Sequence, residues 1–212
     1  IEYALKGAGG EGGRIDTDAI DNSAGVDCSD HEVNIKILLN DLVAAGDLTP
    51  KQRDKLLAEM TDEVGALVLR DNYLQTQALS MLQAQGADLL DAEARFMRLL
   101  EKGGRLDRAI EFLPTDEALT ERAARKQGFT RPELAVLLAY GKIWLHDHIL
   151  ASELPDDPFM AIDLTNYFPT ALRDRFGHEI QRHRLRREIV ATVVTNSIVN
   201  RVGGAFVSEL ME

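Results

Sequence analysis

The spacing of apolar positions along the chain changes character near residue 29. Ahead of it, "RIDTDAIDN" at residues 14 to 22 alternates apolar and polar side chains over a short length, which predicts a strand. From Ser29 the period becomes about 3.6 residues. Val33, Ile37, Leu38 and Leu42, flanked by Ile35 and Leu39, then form one side of a helix that runs to about Ala45 and is ended by Gly46. Beyond Gly46 the pattern stays helical, with no convincing strand.

Start and stop signals divide that second part. Thr49-Pro50 followed by Gln52 predicts a capping box with proline in the first turn, heading a helix over 50–60. Val64, Leu67, Val68, Leu74, Ala78 and Leu82 keep helical spacing over 62–85, and "DAEARFMRLLEKGG" at 91–104 stops on two glycines. "TDEALTERAARKQG" at 115–128 is charged on most sides and predicts an exposed helix. Thr130 to Glu133 repeats the capping logic at the head of a helix over 131–152. "LPDDPFM" then interrupts the chain, a short helix follows at about 159–166, and residues 167–204 hold at least two more. Residues 2–8 read as the last turns of a helix, closed by the glycine-rich "GAGGEGG" at 7–13. Helix, strand and helix thus succeed one another up to Gly46 as in an α/β unit. The pattern predicts a mainly α chain, with a short α/β piece over 1–46 and an all-helical domain over 47–212.

Composition narrows the class. With 45% hydrophobic and 28% charged residues the chain is an ordinary globular protein rather than a disordered one. A net charge of -11 disfavours nucleic acid or an anionic membrane as the main partner. Its longest apolar runs, such as "AVLLAYG" at 135–141, are far shorter than the roughly 20 residues of a membrane span, and no signal-peptide pattern opens it. The single cysteine, Cys28, excludes an internal disulfide and any multi-cysteine zinc site, in keeping with a cytoplasmic location. Beginning on "IEYALKG" without Met, the chain reads as a piece of a longer protein.

Candidate chemistry gathers around "IDNSAGVDCSDHEVN" at residues 20–34. Ser29, Asp30, His31 and Glu32 have the spacing of a capping box, which by itself accounts for Ser29 and Glu32. The segment Asn22 to Ser29 also reads as a strand-to-helix loop, where ligands bind in parallel α/β sheets. Its small residues Ser23, Ala24 and Gly25 would let a ligand approach the backbone, and a carboxylate would sit where unpaired amides and a serine hydroxyl converge.

"NSAGVDCSDHE" resembles the Asn-Ala-Gly-Gly-Val segment of glutamate dehydrogenases, and the longer run "GGRIDTDAIDNSAGVDCSDHEVNIKILLN" resembles more specifically the large bacterial NAD-specific glutamate dehydrogenases. "LVLRDNYLQTQALS", "TRPELAVLLAYGK", "YFPTALRDRF" and "LRREIVATVVTNSIVNRVGG" resemble the C-terminal helical region of the same enzymes. This likeness implies that residues 1–46 are a remnant of a Rossmann-like dinucleotide-binding domain. It implies a parent enzyme that uses NAD to convert L-glutamate to 2-oxoglutarate and ammonium, and that is a homo-oligomer. Residue by residue, Asn22 matches an asparagine beside the nicotinamide carboxamide and the substrate, Gly25 a glycine whose backbone nears the ligand, and Ser29 a serine that binds the glutamate side-chain carboxylate. Ser23-Ala24 and Asp27-Cys28 differ from the small hexameric enzymes, and Asp27 is expected to point away from substrate carboxylates. The catalytic lysine and carboxylate of the family lie upstream, and "GAGGEGG" follows a helix, the wrong context for a pyrophosphate loop. The chain by itself is expected to be inactive.

Other residues read as structural. His146 and His148 are two apart on a helix and His178 and His183 five apart, so neither pair suits one metal. Cys28 reads as a small buried residue, with a reactive thiol as the alternative. Arg173, Arg175, Arg182, Arg184, Arg186 and Arg187 read as a solvated face paired with Glu179 and Glu188, or as an anion site. Asn196, Asn200 and Arg201 suggest interhelical hydrogen bonds or a contact with an absent domain. A second reading treats 47–212 as an interaction or regulatory module for subunit assembly or effector binding.

Overall fold

The structure, a computed structural model, describes residues 14–206, and every regular element among them is helical. The expected helix tail and glycine stop over 2–13 lie outside the described residues. In place of the strand predicted over 14–22, residues 14–17 have no regular structure and Asp18–Asp21 form a short helix, α1. A lone strand leaves its ladder groups unpaired, whereas a helical turn satisfies them locally: the Ile20 and Asp21 amides donate to the Thr17 carbonyl at 2.9 and 2.8 Å. The chain is therefore mainly α, and the α/β succession does not form among the described residues.

Helix α2 spans Ser23–Ala45 and starts a turn and a half before the expected Ser29. Between Ser23 and Ser29 only Gly25 opposes helix, at a cost of about 1 kcal/mol, and no proline stops the ladder from growing back to Asn22. Gly46 ends α2 as predicted, in the left-handed region at φ 84°, its amide bonding the Leu42 and Val43 carbonyls. The buried side is His31, Asn34, Ile35, Leu38, Leu39 and Leu42. Val33, expected on that side, is exposed.

The remaining helices are α3 (Pro50–Glu59), α4 (Thr61–Gln85), α5 (Leu90–Lys102), α6 (Asp116–Ala124), α7 (Arg131–Ala151), α8 (Ala161–Tyr167), α9 (Thr170–Gln181) and α10 (Arg186–Val202). The capping box of α3 forms reciprocally, the Gln52 amide donating to Thr49 Oγ1 at 3.3 Å and the Thr49 amide to Gln52 Oε1 at 2.9 Å. At α7 only half of the expected box forms: the Thr130 amide donates to Glu133 at 2.7 Å, while the Thr130 hydroxyl is buried without a partner. Arg122 also holds the Glu133 carboxylate, in a two-pronged pair at 2.7 and 2.9 Å.

The described residues divide into two compact units. One holds 14–21, 74–145 and 197–206, the other 22–73 and 146–196, so α4, α7 and α10 contribute to both. In the first, Leu79, Phe96, Met97, Leu100, Leu137 and Leu138 are fully buried. Arg131 is anchored there by Asp16 at 2.5 Å, the Ser80 hydroxyl at 3.0 Å and the Thr76 carbonyl at 3.2 Å. Gly141 of α7 meets Gly204 so closely that a Cβ on Gly141 would lie 2.7 Å from the Gly204 Cα.

In the second unit α2, α3, α8, α9 and α10 share one apolar core, including Leu38, Leu39, Leu42, Leu56, Phe168, Leu172, Ile180 and Ile189. His183, 3% exposed, closes it. The Leu185 amide donates to Nδ1 at 3.1 Å, so the neutral ring carries its proton on Nε2 and donates it to the Asn34 carbonyl at 3.1 Å. Burial pushes the His183 pKa down, with the nearby Arg184 adding to this against the upward pull of the Asn34 carbonyl, Asp41 and Glu188.

Two outcomes follow for the fold. Gly141→Ala lowers stability by about 1–3 kcal/mol through overpacking against Gly204, whereas Gly65→Ala, where a Cβ would meet nothing within 4 Å, raises it by up to about 1 kcal/mol; thermal melts compare them. Because the His183 pKa is lowered in the folded state, the unfolded chain binds more protons, so stability is full above about pH 6.5 and falls as the pH drops below it. Denaturant titrations between neutral and mildly acid pH show this slope, and His183→Gln reduces it.

Candidate functional site

A straight helix turns by about 100° per residue, so α2 has two chemically different faces. Asn22, Gly25 and Ser29 follow one another at i, i+3 and i+7 and fall on one side, together with Val26 and Val33. All five are exposed, Val26 to 74% and Val33 to 52%. Asn22 stands where α2 begins but makes no side-chain capping bond. A Cβ on Gly25 would meet nothing within 4 Å. The Ser29 hydroxyl donates to the Gly25 carbonyl at 3.1 Å.

Ser29 therefore caps nothing, and Glu32, its expected partner, pairs with Lys36 one turn on. The expected meeting of a serine hydroxyl with unpaired helix-end amides does not form either, because residues 23–28 are already helical. What the structure brings together is a stripe of Asn22, Gly25 and Ser29 facing outward. Cys28, expected to be buried, is exposed.

The opposite face is polar: His31 and Asn34 on it are buried, Asp27 is half-buried, and Asp30 at its edge is exposed. Tyr167, at the end of α8, donates its hydroxyl to Asp30 Oδ2 at 2.7 Å and accepts from Asn34 Nδ2 at 2.9 Å; Asn34 Nδ2 also reaches Asp30 Oδ1 at 3.2 Å. Burial and the Asp30 charge push the Tyr167 phenol far up, so it remains a donor at any physiological pH. The His31 imidazole stacks on the Tyr167 ring with centroids 4.5 Å apart, and Ser23 donates to Asn72 of α4 at 2.5 Å. Asp27 is on this inner side, away from Ser29. Tyr167 escapes sequence reasoning because it is 137 residues from Asp30. The one available signal is the polar i, i+3, i+4, i+7 series Asp27, Asp30, His31, Asn34, on a helix whose buried stripe then continues with Leu38 and Leu42.

The arginine cluster is tied down inside its unit. Arg173 pairs with Glu63, Arg184 with Asp41, and Arg186 and Arg187 with Asp156, while Arg175 lies over the Phe176 ring. Neither Glu179 nor Glu188 takes part in these arginine pairs, because the helices stack the arginines against acids from distant segments rather than along their own face. Arg201 bonds Ser197 at 2.6 Å, and the Asn200 side-chain oxygen is buried without a partner. His146 lies 3.8 Å from Asp147 and His178 3.5 Å from Glu179, pairs local to their own helices. A cleft of about 300 Å³ lined by Leu38, Leu42, Asp41, Asp47, Glu179, Arg182 and His183 opens further along α2, well past Ser29.

The family described as "Bacterial NAD-glutamate dehydrogenase, catalytic domain" matches residues 1–82, and "Glutamate dehydrogenase, C-terminal" matches residues 126–212. Proteins named NAD-specific glutamate dehydrogenase from Pseudomonas aeruginosa, Halomonas elongata and Mycobacterium tuberculosis are 54%, 50% and 47% identical over all 212 residues. The chain covers 13% of the length of each of these relatives. On matches that together span both of its compact units, the chain belongs to the family of bacterial NAD-specific glutamate dehydrogenases.

Proposed function

We propose that this chain supplies one wall of the active site of an enzyme that converts L-glutamate, NAD and water into 2-oxoglutarate, ammonium and NADH. The observation that carries the reading is the outward stripe of α2, where Asn22, Gly25 and Ser29 are exposed together within the segment matching the catalytic-domain family. On this reading Ser29 exchanges its bond to the Gly25 carbonyl for one to the side-chain carboxylate of glutamate. Asn22, whose side chain caps nothing, pairs with the nicotinamide carboxamide and the substrate. Gly25, with open space around it, lets the cofactor come close to the backbone. NAD serves as the hydride acceptor.

The lysine that polarises the carbonyl and the carboxylate that moves the proton come from upstream of these residues in the family, so the 212-residue chain alone has no dehydrogenase activity. Residues 1–46 end the catalytic domain and 47–212 form the helical domain that follows it. The partners are the remaining domains of the same polypeptide, and further copies in a cytoplasmic homo-oligomer. Val26 and Val33, strongly exposed beside Ser29, support a surface that the rest of the enzyme covers.

The test is Ser29→Ala in the full-length enzyme. A hydrogen bond to a charged group is worth about 1.5–3 kcal/mol, so kcat/KM for glutamate falls by roughly 10- to 100-fold. Alanine at an exposed helical site leaves stability within about 0.5 kcal/mol, so loss of activity without loss of Tm identifies a substrate contact. An unchanged kcat/KM overturns the assignment.

A further inference from the structure

The inner face of α2 holds an arrangement that the substrate reading does not use. Asp27 and His31 stand one helical turn apart, and Asp71 faces them from α4. One ligand atom from each lies within 4.8 Å of the other two. His31 is 3% exposed, its Nδ1 has no hydrogen-bond partner, and its Nε2 is 4.0 Å from Asp71 Oδ2, beyond hydrogen-bond reach. A deeply buried imidazole thus makes no hydrogen bond among the described residues. Leaving such a group unpaired costs about 1–3 kcal/mol, and His183, buried to the same extent in the same unit, has both ring nitrogens satisfied.

We propose that Asp27, His31 and Asp71 bind a divalent transition-metal ion of the zinc class, which ties the first turns of α2 to α4. One imidazole nitrogen with two carboxylate oxygens suits zinc, cobalt or manganese better than calcium or magnesium. The surroundings fit a ligand role. Tyr167 stacks on the imidazole and holds its plane, and Asp30 is withheld from the metal because Tyr167 and Asn34 engage both of its oxygens. The Asp71 side chain is 40% exposed, which leaves an entry path and room to move. In a tetrahedral site, metal–ligand bonds of about 2.0–2.2 Å place ligand atoms roughly 3.3–3.6 Å apart, so binding draws the three groups together by up to about an ångström. The proposal does not rest on the glutamate reading, since a chain that contacts no substrate would still take up the ion.

The experiment is calorimetric titration of the chelator-treated chain with zinc chloride, with cobalt(II) chloride as a spectroscopic probe. One equivalent of zinc binds, visible cobalt absorption appears, and zinc raises the Tm. His31→Gln abolishes the cobalt spectrum. Asp71→Asn, at a half-exposed position that leaves the fold intact, weakens zinc binding at least tenfold and removes the Tm rise. Absence of stoichiometric uptake overturns the proposal, as does uptake that Asp71→Asn leaves unchanged, which would place the ion elsewhere.

Discussion

The arrangement of the second unit depends on how α2 is rotated about its own axis, and the Tyr167 hydroxyl is what sets that rotation. It donates to Asp30 and accepts from Asn34, residues one turn apart on the inner face. A turn of α2 by a single residue, about 100°, would break both bonds and leave polar groups buried and unpaired, each at about 1–3 kcal/mol. Leu38 and Leu42 further along would tolerate some rotation, because apolar contact is proportional to area and has no direction. A polar seam converts burial into a fixed angular setting.

That setting decides what faces outward. With Asp30 and Asn34 held inward, Asn22, Gly25 and Ser29 have nowhere to lie but the exposed side. The outward orientation of Ser29 is then set by residues on the other side of the helix. His183 reinforces the same helix one turn further on, where it holds the Asn34 carbonyl and fills the core beside Phe168.

Much of this fold is legible in the amino-acid order because it is local. The start of α3 at Thr49-Pro50, the stop of α2 at Gly46 and the extent of α4 and α7 follow from caps, glycine conformations and apolar spacing within a few residues. What was not legible depends on distance. The alternation at 14–22 looks like a strand, yet a strand forms only with partners, and without them the backbone satisfies itself in α1. The Ser29–Glu32 spacing is that of a cap, but a cap needs a helix to begin there, and nothing upstream prevented it from beginning earlier. Val33 is apolar yet exposed because the buried side of the helix opens with the polar residues His31 and Asn34, which hydrophobic spacing alone does not reveal. The predicted site residues Asn22, Gly25 and Ser29 do share a face, since three residues at i, i+3 and i+7 on one helix require no tertiary information to be aligned.

The two family matches, 1–82 and 126–212, meet in this clamp. Asp30, His31 and Asn34 come from the segment that matches a catalytic domain, whereas Tyr167 and His183 come from the segment that matches the C-terminal family, and all five lie in one compact unit. The segment matching the C-terminal family is thus more than an appendage to the segment that precedes it. Its tyrosine and histidine supply the buried hydrogen bonds that α2 cannot find within its own segment. Without the Tyr167 hydroxyl, Asp30 loses a donor and the buried Asn34 amide loses an acceptor. The helix that presents Ser29 and the helices that follow it in sequence are therefore one physical object, and a change in the core around Phe168 and Ile180 reaches Ser29 through the rotation of α2.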